Sequence, residues 1–231
     1  MRTITIVNQS SVVSAADFAA AVAACQRQLS EHFAPLWGNL SVALVPQTAA
    51  PQSPQSVPGE AIYVLDDSDQ QGALGYHELT PGDAPIGYVF ARTSQEANDP
   101  WQTTLSHELL EQIADPFISS CAEVQMQGHF GRLQDAIVAF EVCDPVENDS
   151  YLIDGVPVSN FVLPSWFQSA NTPGLTGPFD YLKKLSAPLS LTPGGYISYA
   201  TRLGQWQQFS KRDGARPDKY ARRGKKLRRG E

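Results

Sequence analysis

Trp101-Gln-Thr-Thr-Leu-Ser-His107-Glu108-Leu-Leu-Glu111-Gln-Ile-Ala-Asp115-Pro116 decides how this chain is read. Leu105, Leu109 and Ile113 recur every four residues, which sets one apolar stripe along a helix. Asp99 reads as the N-cap, Pro100 suits the first helical position, and Gln102 follows the cap by three residues as in a capping box. Pro116 disfavours helical geometry at Asp115 and ends the helix there. His107 and Glu111 are four apart, hence on one face. Together they can grip one metal ion, and Glu108 then points toward a water on that ion. The spacing predicts metal-assisted hydrolysis.

Working outward, Thr3–Val7 alternates like a strand, and Ala15–Phe33 keeps a helical period through Phe18, Val22, Cys25, Leu29 and Phe33. Leu40–Val45 and Ala61–Leu65 read as strands. Thr48–Pro58 and Gly72–Pro85 read as loops, and Ile86–Ala91 as an edge strand leading into the HExxE helix. Beyond Pro116, Phe117–Gly131 reads as a connection. Leu133–Asp144 is twelve residues long and stopped by Pro145, which favours a second helix. Val156–Val162 reads as a strand, Asn171–Pro178 as a loop, and Ile197–Thr201 with Trp206–Phe209 as a closing hairpin. The expected fold class is α+β. A domain over 1–150 is followed by a β-rich extension over 151–210 and a basic tail over 211–231.

The HExx tetrad, the element order and the pair Glu141/Asp144 resemble the glutamate-zincin metallopeptidases (gluzincins), over roughly residues 1–145. Those proteins carry HExxH, so Glu111 stands where a second histidine would be. The resemblance implies a small twisted sheet backed by the metal-site helix. It implies His107, Glu111 and Glu141 as metal ligands, Glu108 as the general base, and Asp144 orienting His107 from outside the ligand set. One imidazole and two carboxylates still suit Zn²⁺, while Mn²⁺ or Ca²⁺ gain ground as oxygen replaces nitrogen. Two anionic ligands also make the ion a weaker Lewis acid, so hydrolysis should be slower than with the usual set. The competing reading is a His107 hydrogen-bonded to Asp144, with Glu108 and Glu111 on a solvated face.

Composition narrows the rest. The 231 residues are 42% hydrophobic, ordinary for a folded domain. No apolar run reaches membrane-spanning length, and Met1–Val7 reads as a strand rather than a signal peptide, which points to cytoplasm or a virion. Cys25, Cys121 and Cys143 form no disulfide framework, with a single Cys121–Cys143 bridge left open. No Gly-rich phosphate loop or GxSxG elbow is present, and Cys143 has no histidine base beside it. His77 and His129 read as loop histidines, His77 with metal or substrate as an alternative, and His32 reads as structural. Asp66-Asp67-Ser68-Asp69 lacks the spacing of a calcium loop. Trp166 and Phe167 read as core.

The net charge of −7 conceals an asymmetry: residues 211–231 hold ten Lys/Arg against three Asp/Glu, which leaves seven basic and 21 acidic residues before them. Such a tail cannot bury a core and suits an acidic neighbour or nucleic acid. The expected partner is a peptide or protein substrate. The alternative is a zincin-like scaffold without catalysis, serving as a subunit of a larger assembly such as a phage virion, its copies locked head to tail or its tail on nucleic acid.

Overall fold

The computed structural model describes residues 2–38, 40–48, 57–127, 133–169, 171–201 and 205–211. His129 and nearly all of the basic tail, residues 212–231, lie outside the described residues, as does most of the Thr48–Pro58 loop. The chain is mixed α+β. Among the described residues no helix is long and apolar enough to cross a membrane.

Strand β1 (Arg2–Asn8) leads to helix α1 (Ala15–Arg27), capped by the Ser14 side chain, and then to a wider π-helical stretch, Gln28–Phe33. Next come β2 (Val42–Thr48), β3 (Glu60–Leu65), β4 (Gly75–Leu79) and β5 (Pro85–Phe90). The short helix α2 (Ala91–Glu96) then precedes α3 (Trp101–Ala114). The five strands form one sheet in the order β2-β1-β3-β5-β4, parallel throughout except that β4 runs antiparallel to β5. The edge beside α3 is thus β4. The segment expected to be the edge strand is β5, which lies inside the sheet, and the loop expected over Gly72–Pro85 holds a strand. β4 escapes the alternation rule because its helix-facing positions are Gly75 and His77 rather than apolar side chains.

The second helix expected over Leu133–Asp144 is not formed. Leu133–Ala139 is strand β7, paired antiparallel with β6 (Cys121–Gln127). Its β-branched Ile137 and Val138 point to opposite sides, Val138 buried and Ile137 outward, the period of a strand. Pro145 stops no helix. It sits inside a single 3₁₀ turn, Asp144–Val146, where its missing N–H costs nothing. Glu141 and Asp144 therefore do not share a helical face.

Beyond this turn, β8 (Ser150–Ile153) and β9 (Val156–Ser159) form a hairpin, and a 3₁₀ turn, Pro164–Phe167, buries Trp166 and Phe167 as core. The closing hairpin is present as β10 (Tyr196–Thr201) and β11 (Trp206–Ser210). β10 pairs with β7, giving a four-stranded sheet, β11-β10-β7-β6. That sheet joins residues on both sides of position 150, and one apolar core runs from Ile4 through Leu109 to Trp166 and Ile197. The three cysteines are free thiols.

Helix α3 is central rather than amphipathic: every residue from Thr104 to Ile113 is buried. It starts at Trp101, with Pro100 in the cap position and no side-chain cap bond, one residue later than the sequence suggests. Its last turn is held instead by Arg2. The guanidinium donates to the carbonyls of Gln112 (3.0 Å) and Ile113 (3.3 Å) while paired with Glu60, a cation at the negative end of the helix.

Candidate metal centre

Two glycines let α3 sit close to the sheet. A Cβ on Gly75 would lie 2.6 Å from Thr104 Cγ2, 2.8 Å from the Tyr88 carbonyl oxygen and 2.9 Å from Glu108 Oε1. One on Gly87 of β5, paired opposite His77, would lie 3.3 Å from Gln112 Oε1 of α3 and 3.1 Å from Ile62 of β3. On the far side, Ser106 donates to Gln28 Oε1 (2.6 Å) and accepts from the Ser159 amide (3.0 Å), tying α3 to the π-helical stretch and to β9. The helix is fixed from both sides before any ligand is considered.

Its polar residues converge on one buried space. His107, Glu108 and Glu111 are exposed by 2%, 0% and 2%. His107 Nε2 lies 3.2 Å from Glu111 Oε1 and 3.3 Å from Asp144 Oδ1, and its Nδ1 lies 3.3 Å from Glu147 Oε2. Glu111 is held in place by the Cys143 amide, which donates to Oε1 at 3.1 Å. From β4, His77 brings Nδ1 to 3.2 Å from Glu108 Oε2 and 3.8 Å from Glu111 Oε2, and Nε2 to 3.7 Å from Glu141 Oε2.

The five residues proposed from sequence thus lie in one region, in a particular grouping. Glu141 keeps company with His77 and Glu111. Asp144 faces the same ring nitrogen of His107 as Glu111 does, and the carboxylate at the other ring nitrogen belongs to Glu147. Two members stand outside those five. The sequence reads His77 as a loop histidine, with metal or substrate as an alternative, because β4 is short and flanked by turn residues. The sequence does not mark Glu147 as a site residue by motif, although Glu141, Asp144 and Glu147 recur every three residues, a run of acids that an apolar segment does not need.

Burying so many acids together strains their ionisation. Burial and the neighbouring Glu111 push Glu141 well above the carboxylate range, with His77 pulling the other way. Burial and Glu111 push Asp144 up to about 7, opposed by His107. Burial disfavours the charged form of His77, yet the Glu108 hydrogen bond and the charges of Glu141, Glu108 and Glu111 raise it to about 9. Burial also raises the Cys143 thiol, which leaves it a poor nucleophile. Described arginines are engaged elsewhere: Arg2 with Glu60, Arg27 with Glu31 and Asp154, Arg92 with Asp66 and Asp67.

Two atoms of the cluster, His77 Nε2 and Glu141 Oε2, are buried and have no hydrogen-bond partner among the described residues. Protons relieve such a cluster, and a divalent cation would do the same. Three groups of residues have ligand atoms within 4.8 Å of one another and can hold a metal ion: His107, Glu111 and Cys143; His77, Glu111 and Glu141; and His107, Asp144 and Glu147.

The remaining polar candidates have ordinary roles. Asp66 accepts from Ser10, Ser11 and Arg92, and Asp69 from Tyr76, so that loop is closed by hydrogen bonds. His32 bonds the Tyr151 hydroxyl at 2.9 Å and stacks on Tyr181. No family model, curated relative or solved structure matches this chain.

Proposed function

We propose that the protein is a metal-dependent hydrolase with peptides as its substrate class, built on a zincin-like frame of sheet and central helix. The carrying observation is the convergence of His107, Glu111, Glu141 and Asp144 on one buried space containing ligand atoms without hydrogen-bond partners. A divalent cation held there, Zn²⁺ first and Mn²⁺ or Ca²⁺ as alternatives, would supply a water of lowered pKa and polarise a carbonyl.

In this reading Glu108 takes the proton from the attacking water and passes it to the leaving amine. Its position is set by Gly75, which leaves room for Oε1, and by His77 at Oε2. Strand β4 ends the sheet order, and a sheet edge beside the base is a place where an extended peptide can pair.

The full burial of Glu108 favours a second reading, in which the cation is structural and the chain an inactive zincin-like subunit of a larger assembly. The basic tail, residues 211–231, would then dock on an acidic neighbour or nucleic acid. Peptidase assays on the metal-loaded protein beside Glu108→Gln separate the two. Hydrolysis that falls by about 10²–10⁴-fold in the variant, with metal retained, supports the enzyme. A metal-loaded protein inert toward peptides leaves the structural role.

A further inference from the structure

The two imidazoles of the centre are presented in the same way. Each sets Nδ1 against a carboxylate oxygen, His107 against Glu147 at 3.3 Å and His77 against Glu108 at 3.2 Å. Each turns Nε2 toward a different carboxylate, His107 toward Asp144 at 3.3 Å and His77 toward Glu141 at 3.7 Å. A carboxylate on one ring nitrogen, fixing the tautomer and freeing the other nitrogen, is the usual preparation of a metal-binding histidine. Glu111 stands between the two, with Oε1 3.2 Å from His107 Nε2 and Oε2 3.8 Å from His77 Nδ1, and His77, Glu111 and Glu141 each bring one ligand atom within 4.8 Å of the others.

We propose that the centre holds two divalent cations bridged by the Glu111 carboxylate, one on His107 and Asp144, the other on His77 and Glu141. The proposal rests on the reading of this cluster as a metal centre and adds a second position to it. Ligand atoms around a tetrahedral ion with bonds of about 2.0–2.2 Å stand roughly 3.3–3.6 Å apart, close to the 3.2 and 3.3 Å at His107 Nε2 and to the 3.7 Å between His77 Nε2 and Glu141. His77 is 6% exposed, and its Nε2 has no hydrogen-bond partner among the described residues; neither has Glu141 Oε2. An unpaired imidazole nitrogen and an unpaired carboxylate oxygen facing each other at 3.7 Å are too far apart to satisfy one another and well spaced to share an ion. A single ion on His107 leaves that pair unanswered. Each position offers one nitrogen and two carboxylates, a set that accepts Zn²⁺ and Mn²⁺.

The test uses the full chain, stripped with chelator, loaded with Zn²⁺, desalted and measured by elemental analysis. Two equivalents of zinc per chain are expected in the wild type and one in both His77→Ala and the isosteric Glu141→Gln, with the fold checked by circular dichroism. Loading with Mn²⁺ adds a second readout: a spin-coupled pair in the wild type, replaced by an isolated-ion spectrum in either variant. One equivalent in the wild type overturns the second position and leaves the hydrolase reading standing. Two equivalents undiminished in both variants overturn the ligand assignment. No bound metal removes the proposal and the hydrolase reading together.

Discussion

His77 Nδ1 lies 3.2 Å from Glu108 Oε2, so an edge strand and the central helix are joined inside the protein by an imidazole and a carboxylate. Removing the imidazole withdraws a positive partner from a fully buried acid. In chelator-treated protein, His77→Ala should lower unfolding free energy by about 1–3 kcal/mol, measured by urea denaturation. An unchanged midpoint would mean that this contact contributes nothing to the metal-free fold.

Gly75→Ala should be destabilising by about 1–3 kcal/mol, because the new methyl meets the Tyr88 carbonyl, Thr104 and Glu108 at under 3 Å. Gly82→Ala is the control. Its added Cβ would have Thr80 Oγ1 as its nearest atom, at 4.0 Å. Melting temperatures of the two variants decide the point: equal values would contradict the close approach of α3 to β4.

Metal-free protein should lose stability as pH rises. Asp144, held up to about 7, and His77, held up to about 9, both keep their protons more tightly in the fold than in the unfolded chain. Their contribution is complete below the unfolded values, about 4 and about 6.5, and is lost as pH climbs through the folded ones. A cation reverses the trend, since its ligands must be deprotonated. The melting-temperature gap between metal-loaded and chelated samples should therefore widen from pH 5 to pH 9. A gap independent of pH would count against these groups as ligands.

At the acid end a different pair governs. Burial raises Asp66, but bonds from Ser10 and Ser11 and the Arg92 charge outweigh it and bring the carboxyl down to about 2. Its stabilisation is present above about pH 4 and disappears as pH falls toward 2. Asp66→Asn should flatten that part of the stability profile. A wild-type profile already flat between pH 4 and 2 would refute the assignment.

How much was legible follows from the kind of signal each residue leaves. The α3 helix announced itself through Leu105, Leu109 and Ile113, and its end through Asp115-Pro116, because period and proline are local facts. β4 did not, since Gly75 and His77 are there for what α3 needs and break the apolar alternation that marks a strand. β7 reads as a helix in sequence because Ala136–Ala139 is apolar enough for either, and the deciding contact is a pairing with β6 and β10 that no local window contains. His107, Glu108 and Glu111 came from one helix turn. That His77 joins them is a consequence of the antiparallel β4–β5 register, visible only in three dimensions.

The centre draws its side chains from three separate stretches, around residue 77, along 107–111 and over 141–147. Bringing them together closes loops across some seventy residues and sets acids that repel one another side by side, and both cost free energy. A divalent ion present during refolding would turn that encounter from uphill to downhill. Refolding from urea should then run faster, and to a higher yield, in zinc than in chelator, which makes the ion an assembly factor for the chain whatever chemistry it later supports.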